Sequence, residues 1–296
     1  MSENLASSMI DVEKVKKQQK AMYIVVTVLI YTFLAIMALI IIFPFYWMLI
    51  SSVKTLNEYN LNVPTLWPRE FHFENYIRAY ELANLGRSFI NTVIVGVSST
   101  LLSLVITVLT AFAFARLEFK GRDLVFSLLM ATMMVPGELF TITNYQTVST
   151  MGITNTYTVL IVPFLVSIYY IYLLRQNFKQ IPNELYLAAK VDGTSDLKYL
   201  LKVMIPLSMP TLITITILKM MGAWNSYIWP RLVANDEAHK LITNGLRGAD
   251  FTDNAGFTDF PAQMAAVVIV SIPLFLVFLF LRKYIMRGVS RSGIKG

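Results

Sequence analysis

Cysteine is absent from the 296-residue chain, which excludes disulfides, thiolate zinc sites, iron–sulfur ligation and cysteine nucleophiles together. Histidine is nearly absent too: His72 and His239 are the only two. Charge is scarce, at 15 % of residues against roughly 25 % in an average soluble protein. No Gly-x-Ser-x-Gly elbow occurs, nor any basic module interleaved with aromatics of the kind that binds nucleic acid. Most routes to catalysis, and nucleic acid as a partner, go with these absences.

What is present is apolar mass. Hydrophobic residues make up 56 % of the chain and come in long unbroken blocks rather than the short alternation of a soluble core. A membrane-crossing helix needs about 20 such residues. The uncharged blocks supply six, placed near 22–48, 89–115, 124–145, 157–177, 204–226 and 262–283. The run from Leu139 to Leu174 is too long for one crossing, and Thr143, Asn144 and the polar segment Ser149 to Thr156 mark a turn inside it. The first block, uncharged from Ala21 to Val53, far exceeds a signal-peptide core and has no small-residue cleavage pattern, so it reads as a retained helix.

Six crossings put both termini on one side. The tail 1–21, the Arg116 to Arg122 loop, the Arg175 to Lys202 loop and the C-terminal segment from Arg282 onward hold 17 Lys and Arg residues, against 7 in the opposite loops. That bias makes the first side cytoplasmic. The expected fold is therefore all-α and integral to the cell membrane, with a six-helix domain over 22–285, N and C termini in the cytoplasm and an extracytoplasmic loop at 232–261.

The cytoplasmic loop 181–206 carries the most specific pattern. Pro182 suits a helix start, and Leu185, Ala188 and Ala189 fall on one face at i, i+3, i+4. Gly193 after Asp192 suits a helix stop, and Ser195 can cap a second short helix leading to Pro206. A small-faced helix in such a loop points to a groove on a protein partner, with packing against the chain's own spans as the alternative.

Ala188, Ala189, Gly193 and the Met204-Ile205-Pro206 segment resemble the coupling-helix signature of ATP-binding-cassette importer permeases. The segments Arg87 to Thr92, Ala111 to Arg116, Met133 to Gly137, Ala223 to Pro230 and Ser292 to Gly296 are similar to the MalG-type permeases of carbohydrate importers. The resemblance implies a type I importer permease fold, half of a heterodimeric pore and coupling to an ATPase dimer through the 184–199 loop helix. It assigns that contact to Glu184, Leu185, Leu187, Ala188, Ala189, Asp192 and Gly193. It also implies ATPase contacts for Ser292, Gly293, Ile294, Lys295 and Gly296, a solute-binding protein outside and a sugar, most simply an oligosaccharide, as cargo. ATP and magnesium would sit on the partner ATPases, leaving this chain non-catalytic and without a cofactor. Leu187 departs from the family pattern, which has glutamate there. Glu184, three residues earlier on nearly the same face, is the candidate substitute.

Inside the spans, Lys219 stands about fifteen residues into the fifth helix, where a charge costs about 2.5 to 3.5 kcal/mol. It could line the path and hold an acidic or hydroxylated sugar, snorkel outward or pair within the bundle. Trp224, Asn225 and Asn144 are further candidates for the path, with an interfacial tryptophan and a helix-ending asparagine as the plainer reading of the first two. Acidic residues of the kind an ion-coupled secondary transporter uses are missing from mid-span, Glu138 lying near one end. A non-sugar solute remains an alternative cargo. The run Asp250 to Gly256 lacks the alternating ligands of a calcium loop, and Gly288 to Gly296 lacks the Lys-Ser/Thr pair of a phosphate loop.

Overall fold

The structure is a computed structural model that describes residues 2–252 and 256–290. The proposed tail contacts Ser292 to Gly296 lie outside the described residues. The principal helices are α1 (Ser2–Ser51), α2 (Glu74–Leu82), α3 (Leu85–Arg116), α4 (Arg122–Thr132), α5 (Thr141–Thr150), α6 (Tyr157–Ile161), α7 (Ile168–Lys179), α8 (Asn183–Val191), α9 (Met209–Trp224), α10 (Ile228–Val233), α11 (Ile242–Gly248) and α12 (Phe260–Ser290). Among the described residues the only β pairing is an isolated bridge between Thr252 and Thr258.

Three helical segments are long and apolar enough to cross a membrane unaided: Met22–Ser51, Leu85–Arg116 and Phe260–Phe280. At 1.5 Å per residue each exceeds a hydrocarbon core of about 30 Å. Three more candidates are pairs of shorter helices, each bent at a break. The single helices expected over 124–145, 157–177 and 204–226 are thus each divided in two.

Proline accounts for the breaks. Arg122–Thr132 and Gly137–Thr150 meet at 79° around Pro136, and Tyr157–Phe164 and Ile168–Lys179 at 46° beside Pro163. Asp196–Leu207 and Met209–Trp224 meet at 80°, with Ser208 between Pro206 and Pro210. A proline ring removes one backbone donor and clashes with the preceding turn, so the helix bends there.

α3 is the central post, packing against α7 and α9, while α9, α1 and α2 pack on α12. Its buried face runs Ser88, Thr92, Gly96, Ser99, Ser103, Thr107 and Ala111, small residues one turn apart. Such a stripe lets helix backbones approach closely without a water-driven core. At Gly96 a Cβ would stand 2.9 Å from the Met220 Sδ of α9. Near the Arg116 end, Ala111, Phe112 and Ala115 join Leu174, Phe178, Tyr199, Leu200 and Met204 in one apolar cluster.

The other end of α3 is held by polar contacts. Asn91 Nδ2 donates to the carbonyls of Ala238 at 2.8 Å and Lys240 at 3.0 Å, and its Oδ1 accepts from the Tyr157 hydroxyl at 2.8 Å. The Ile242 amide donates to Thr92 Oγ1 at 2.8 Å, tying α11 to α3. Asp259, its side chain 3 % exposed, pairs with Arg78 at 2.7 Å and accepts from the Ala262 amide at the start of α12.

Candidate functional site

Two places stand out: the loop helix α8 and a cavity beside Lys219. α8 follows Pro182 and ends where Gly193 turns to φ +68°. There the Thr194 amide donates to the Ala189 carbonyl at 2.8 Å and the Gly193 amide to that of Lys190 at 3.0 Å. This pair of bonds satisfies the last carbonyls and needs a left-handed residue, which glycine adopts without strain. Ser195 Oγ then accepts from the Lys198 amide, opening the next helical turn.

α8 is braced from one side only. Asp196 Oδ1 accepts from the Tyr186 hydroxyl at 2.7 Å and pairs with Lys190 Nζ at 2.7 Å. Burial and then this hydrogen bond push the Tyr186 phenol above its ordinary value, and the same carboxylate raises the Lys190 ammonium. The Tyr186 ring packs on Tyr199 with centroids 5.2 Å apart.

The other side of α8 is largely open among the described residues. Leu185, Leu187 and Val191 are 44 %, 55 % and 88 % exposed, and Glu184, Ala188, Asp192 and Gly193 are exposed with them. Ala189 is half-buried, so the predicted Leu185-Ala188-Ala189 face is split between solvent and the body. Leu197 and Leu201 extend the exposed apolar patch past the turn. Contiguous exposed apolar side chains of this kind mark a contact surface.

Arg116 fixes where α8 begins, a role the sequence reading missed. Its guanidinium donates to the carbonyls of Phe178, at 2.8 Å, and Ile181, and to Asn183 Oδ1 at 3.4 Å. Arg175, buried behind it, donates to the Phe114 carbonyl at 3.0 Å and lies 3.8 Å over the Phe126 ring. An arginine closing an apolar helix next to a turn was the available signal; its partners, more than 60 positions away, were not.

The cavity has a volume of about 330 Å³ and lies among α3, α9 and the break between α6 and α7. Lys219, Gly222 and Ala223 wall one side, at i, i+3 and i+4, the spacing of one helix face, and Ser226 follows just past the end of α9. Ser99, Phe164, Ser167, Tyr170 and Trp229 contribute from the rest. Lys219 Nζ donates to the Phe164 carbonyl at the end of the first half of the broken helix. A cation at the carbonyl end of a helix is favoured by its dipole.

Of the four path candidates, Lys219 alone reaches this cavity. Trp224 is i+5 from Lys219, turned some 140° away at 100° per residue. It is buried against α12, where its Nε1 donates to the Val270 carbonyl at 3.3 Å and its ring meets Phe89 edge-on. Asn225 is exposed and donates to the Met221 carbonyl, a helix-ending contact, and Asn144 is exposed on α5. Ser226, Tyr170 and Trp229 were missed as cavity residues; Ser226 lies past the end of α9, where helical spacing from Lys219 gives no signal. Among the described residues no three of His, Asp and Glu come together as a metal site requires.

Comparison with known proteins bears on the family and the fold. A family model described as binding-protein-dependent transport system inner membrane component matches residues 103–291. The diacetylchitobiose uptake system permease protein NgcG of Streptomyces coelicolor is 30 % identical over 266 residues, spanning 88 % of this chain and 86 % of that one. The melibiose/raffinose/stachyose import permease protein MelC of Bacillus subtilis is 32 % identical over 269 residues, with 88 % and 94 % covered. Among solved structures, a chain of a bacterial ABC transporter involved in the import of the acidic polysaccharide alginate has the same fold, at TM-score 0.80 and 24 % identity, covering 88 % of this chain and 96 % of that one.

Proposed function

The chain belongs to the binding-protein-dependent transport system inner membrane components, and from that membership we propose that it is a permease subunit of an ATP-driven sugar importer. Counting each bent pair as one crossing gives six, and the Lys and Arg surplus then sets both termini in the cytoplasm. In this orientation α8 faces the cytoplasm and the 232–261 loop faces a solute-binding protein outside.

One observation carries the reading: the apolar face of α8, capped at Gly193 and braced by Asp196, is left exposed among the described residues. A groove on an ATPase subunit is the complement such a helix needs. Closure of an ATPase dimer would move α8, and a second permease would complete the pore of which this chain forms half. ATP and magnesium belong to the ATPase subunits, and the chain itself performs no catalysis. The sugar class rests on the relatives, two of which are permeases for diacetylchitobiose and for melibiose, raffinose and stachyose.

Purification of the tagged chain in mild detergent tests the proposal. Recovery of an ATPase and a second permease in stoichiometric amounts is expected, together with ATP-dependent sugar uptake once the complex and its binding protein are reconstituted. Uptake driven by a sodium or proton gradient without ATP would instead identify a secondary transporter.

A further inference from the structure

We infer that the cavity beside Lys219 is a subsite for a sugar ring carrying a carboxylate, a hexuronate unit, with the Lys219 ammonium as its anchor; this rests on the importer reading above.

The cavity is large enough for one sugar ring, its 330 Å³ falling at the small end of ordinary ligand sites. Its composition is that of a ligand site rather than a packing defect, with aromatic walls from Phe164, Tyr170 and Trp229 and hydroxyls from Ser99, Ser167 and Ser226. Lys219 is the one charged residue in its lining, and no carboxylate lines it. An ammonium has three donors, and the Phe164 carbonyl takes one. The others meet no carboxylate in the lining and are free for a ligand.

A monoanion suits that deficit. A carboxylate brought to Lys219 makes a charge-assisted hydrogen bond and neutralises the site, while the hydroxyls of the ring find the serines. A phosphate would bring close to two charges against one cation. The position supports the same ligand. The cavity opens on the break between Tyr157–Phe164 and Ile168–Lys179, and interrupted spans of this kind are where transporters bind their cargo. Ser167, whose Oγ caps the second half by accepting from the Tyr170 amide, is part of the same wall.

The test uses the purified complex in nanodiscs, with binding followed by tryptophan fluorescence and by saturation-transfer NMR. D-glucuronate and D-galacturonate are compared with D-glucose and D-galactose, and acetate and phosphate serve as plain anions. The expected result is tighter binding of the uronates than of the neutral sugars by about ten-fold or more, the worth of one good charge-assisted contact. K219M should abolish that preference and K219R should keep most of it. Equal binding of uronates and neutral sugars by the unmodified protein overturns the inference, as does an unchanged preference in K219M. Acetate or phosphate binding as tightly as the uronates also overturns it, by making the cavity a simple anion site. The subunit composition of the same preparation reports on the importer reading separately, so failure of one is not mistaken for failure of the other.

Discussion

Arg116, the last residue of α3, donates to the carbonyl of Phe178 at the end of α7, at 2.8 Å. With its second bond to Ile181 this closes the corner from which α8 departs. Arg116→Met removes the side-chain donor from both carbonyls, that of Phe178 keeping the Ile181 amide at 3.2 Å, at a cost of about 1 kcal/mol. The expected outcome is an assembled complex that hydrolyses ATP but imports poorly, measured as the ratio of uptake to ATPase rate in proteoliposomes. An unchanged ratio would show that the corner does not transmit movement.

Leu187 sits where the family has a glutamate, and more than half of its surface is open. Truncation to Ala should change the stability of the isolated chain by less than about 0.5 kcal/mol. Leu187→Lys should weaken ATPase association by about 1–2 kcal/mol or more, as loss of a buried anchor does. Glu184→Gln serves as the companion variant in the same pull-down. If it binds and couples normally while Leu187→Lys does not, Glu184 is no substitute for the missing glutamate.

Gly193 adopts φ +68°, and a Cβ there would meet nothing within 4 Å. The penalty for Gly193→Ala is therefore conformational alone, about 1–2 kcal/mol. A modest fall in the detergent melting temperature is expected, and a larger one for Gly193→Val, whose branched side chain tolerates the left-handed region least. Equal melting of all three proteins would sink this account of the turn.

Two tightly packed glycines should respond differently to the same methyl group. At Gly96 the obstacle is Met220 Sδ, on a flexible side chain. At Gly245 it is Ser88 Oγ at 2.6 Å and the backbone carbonyl of Ala83 at 3.0 Å. Gly245→Ala should cost about 1–3 kcal/mol as an overpacked site, and Gly96→Ala clearly less. Thermal shift of the two variants side by side gives the comparison, and the reverse order would contradict it.

The straight helices were legible in the sequence because a long apolar run has few other uses, and α8 was legible because Pro182 and Gly193 are local punctuation. The breaks were hidden. Pro163 and Pro210 lie inside apolar runs, and lipid-spanning helices tolerate proline when neighbours satisfy the freed backbone groups, as the Trp229 Nε1 donor does for the Val159 carbonyl four residues before Pro163. Lys219 was singled out by its charge alone, which says nothing of direction, so Trp224 was grouped with it although five residues turn it to the opposite wall. The partners of Arg116 and Asn91 arise from contacts between distant segments and leave no trace in local spacing.

α1 carries a lesson about substitutability. From Met22 to Phe45 no side chain is buried within the chain, whereas Ile50 to Lys54 are all enclosed. The first stretch answers only to its surroundings, so its residues are interchangeable with other apolar helix formers and shuffling their order should pass unnoticed by the rest of the molecule. The five residues after it admit almost no such exchange. Within a single helix and the turn that ends it, the chain passes from text that can be paraphrased to text that must be copied letter by letter.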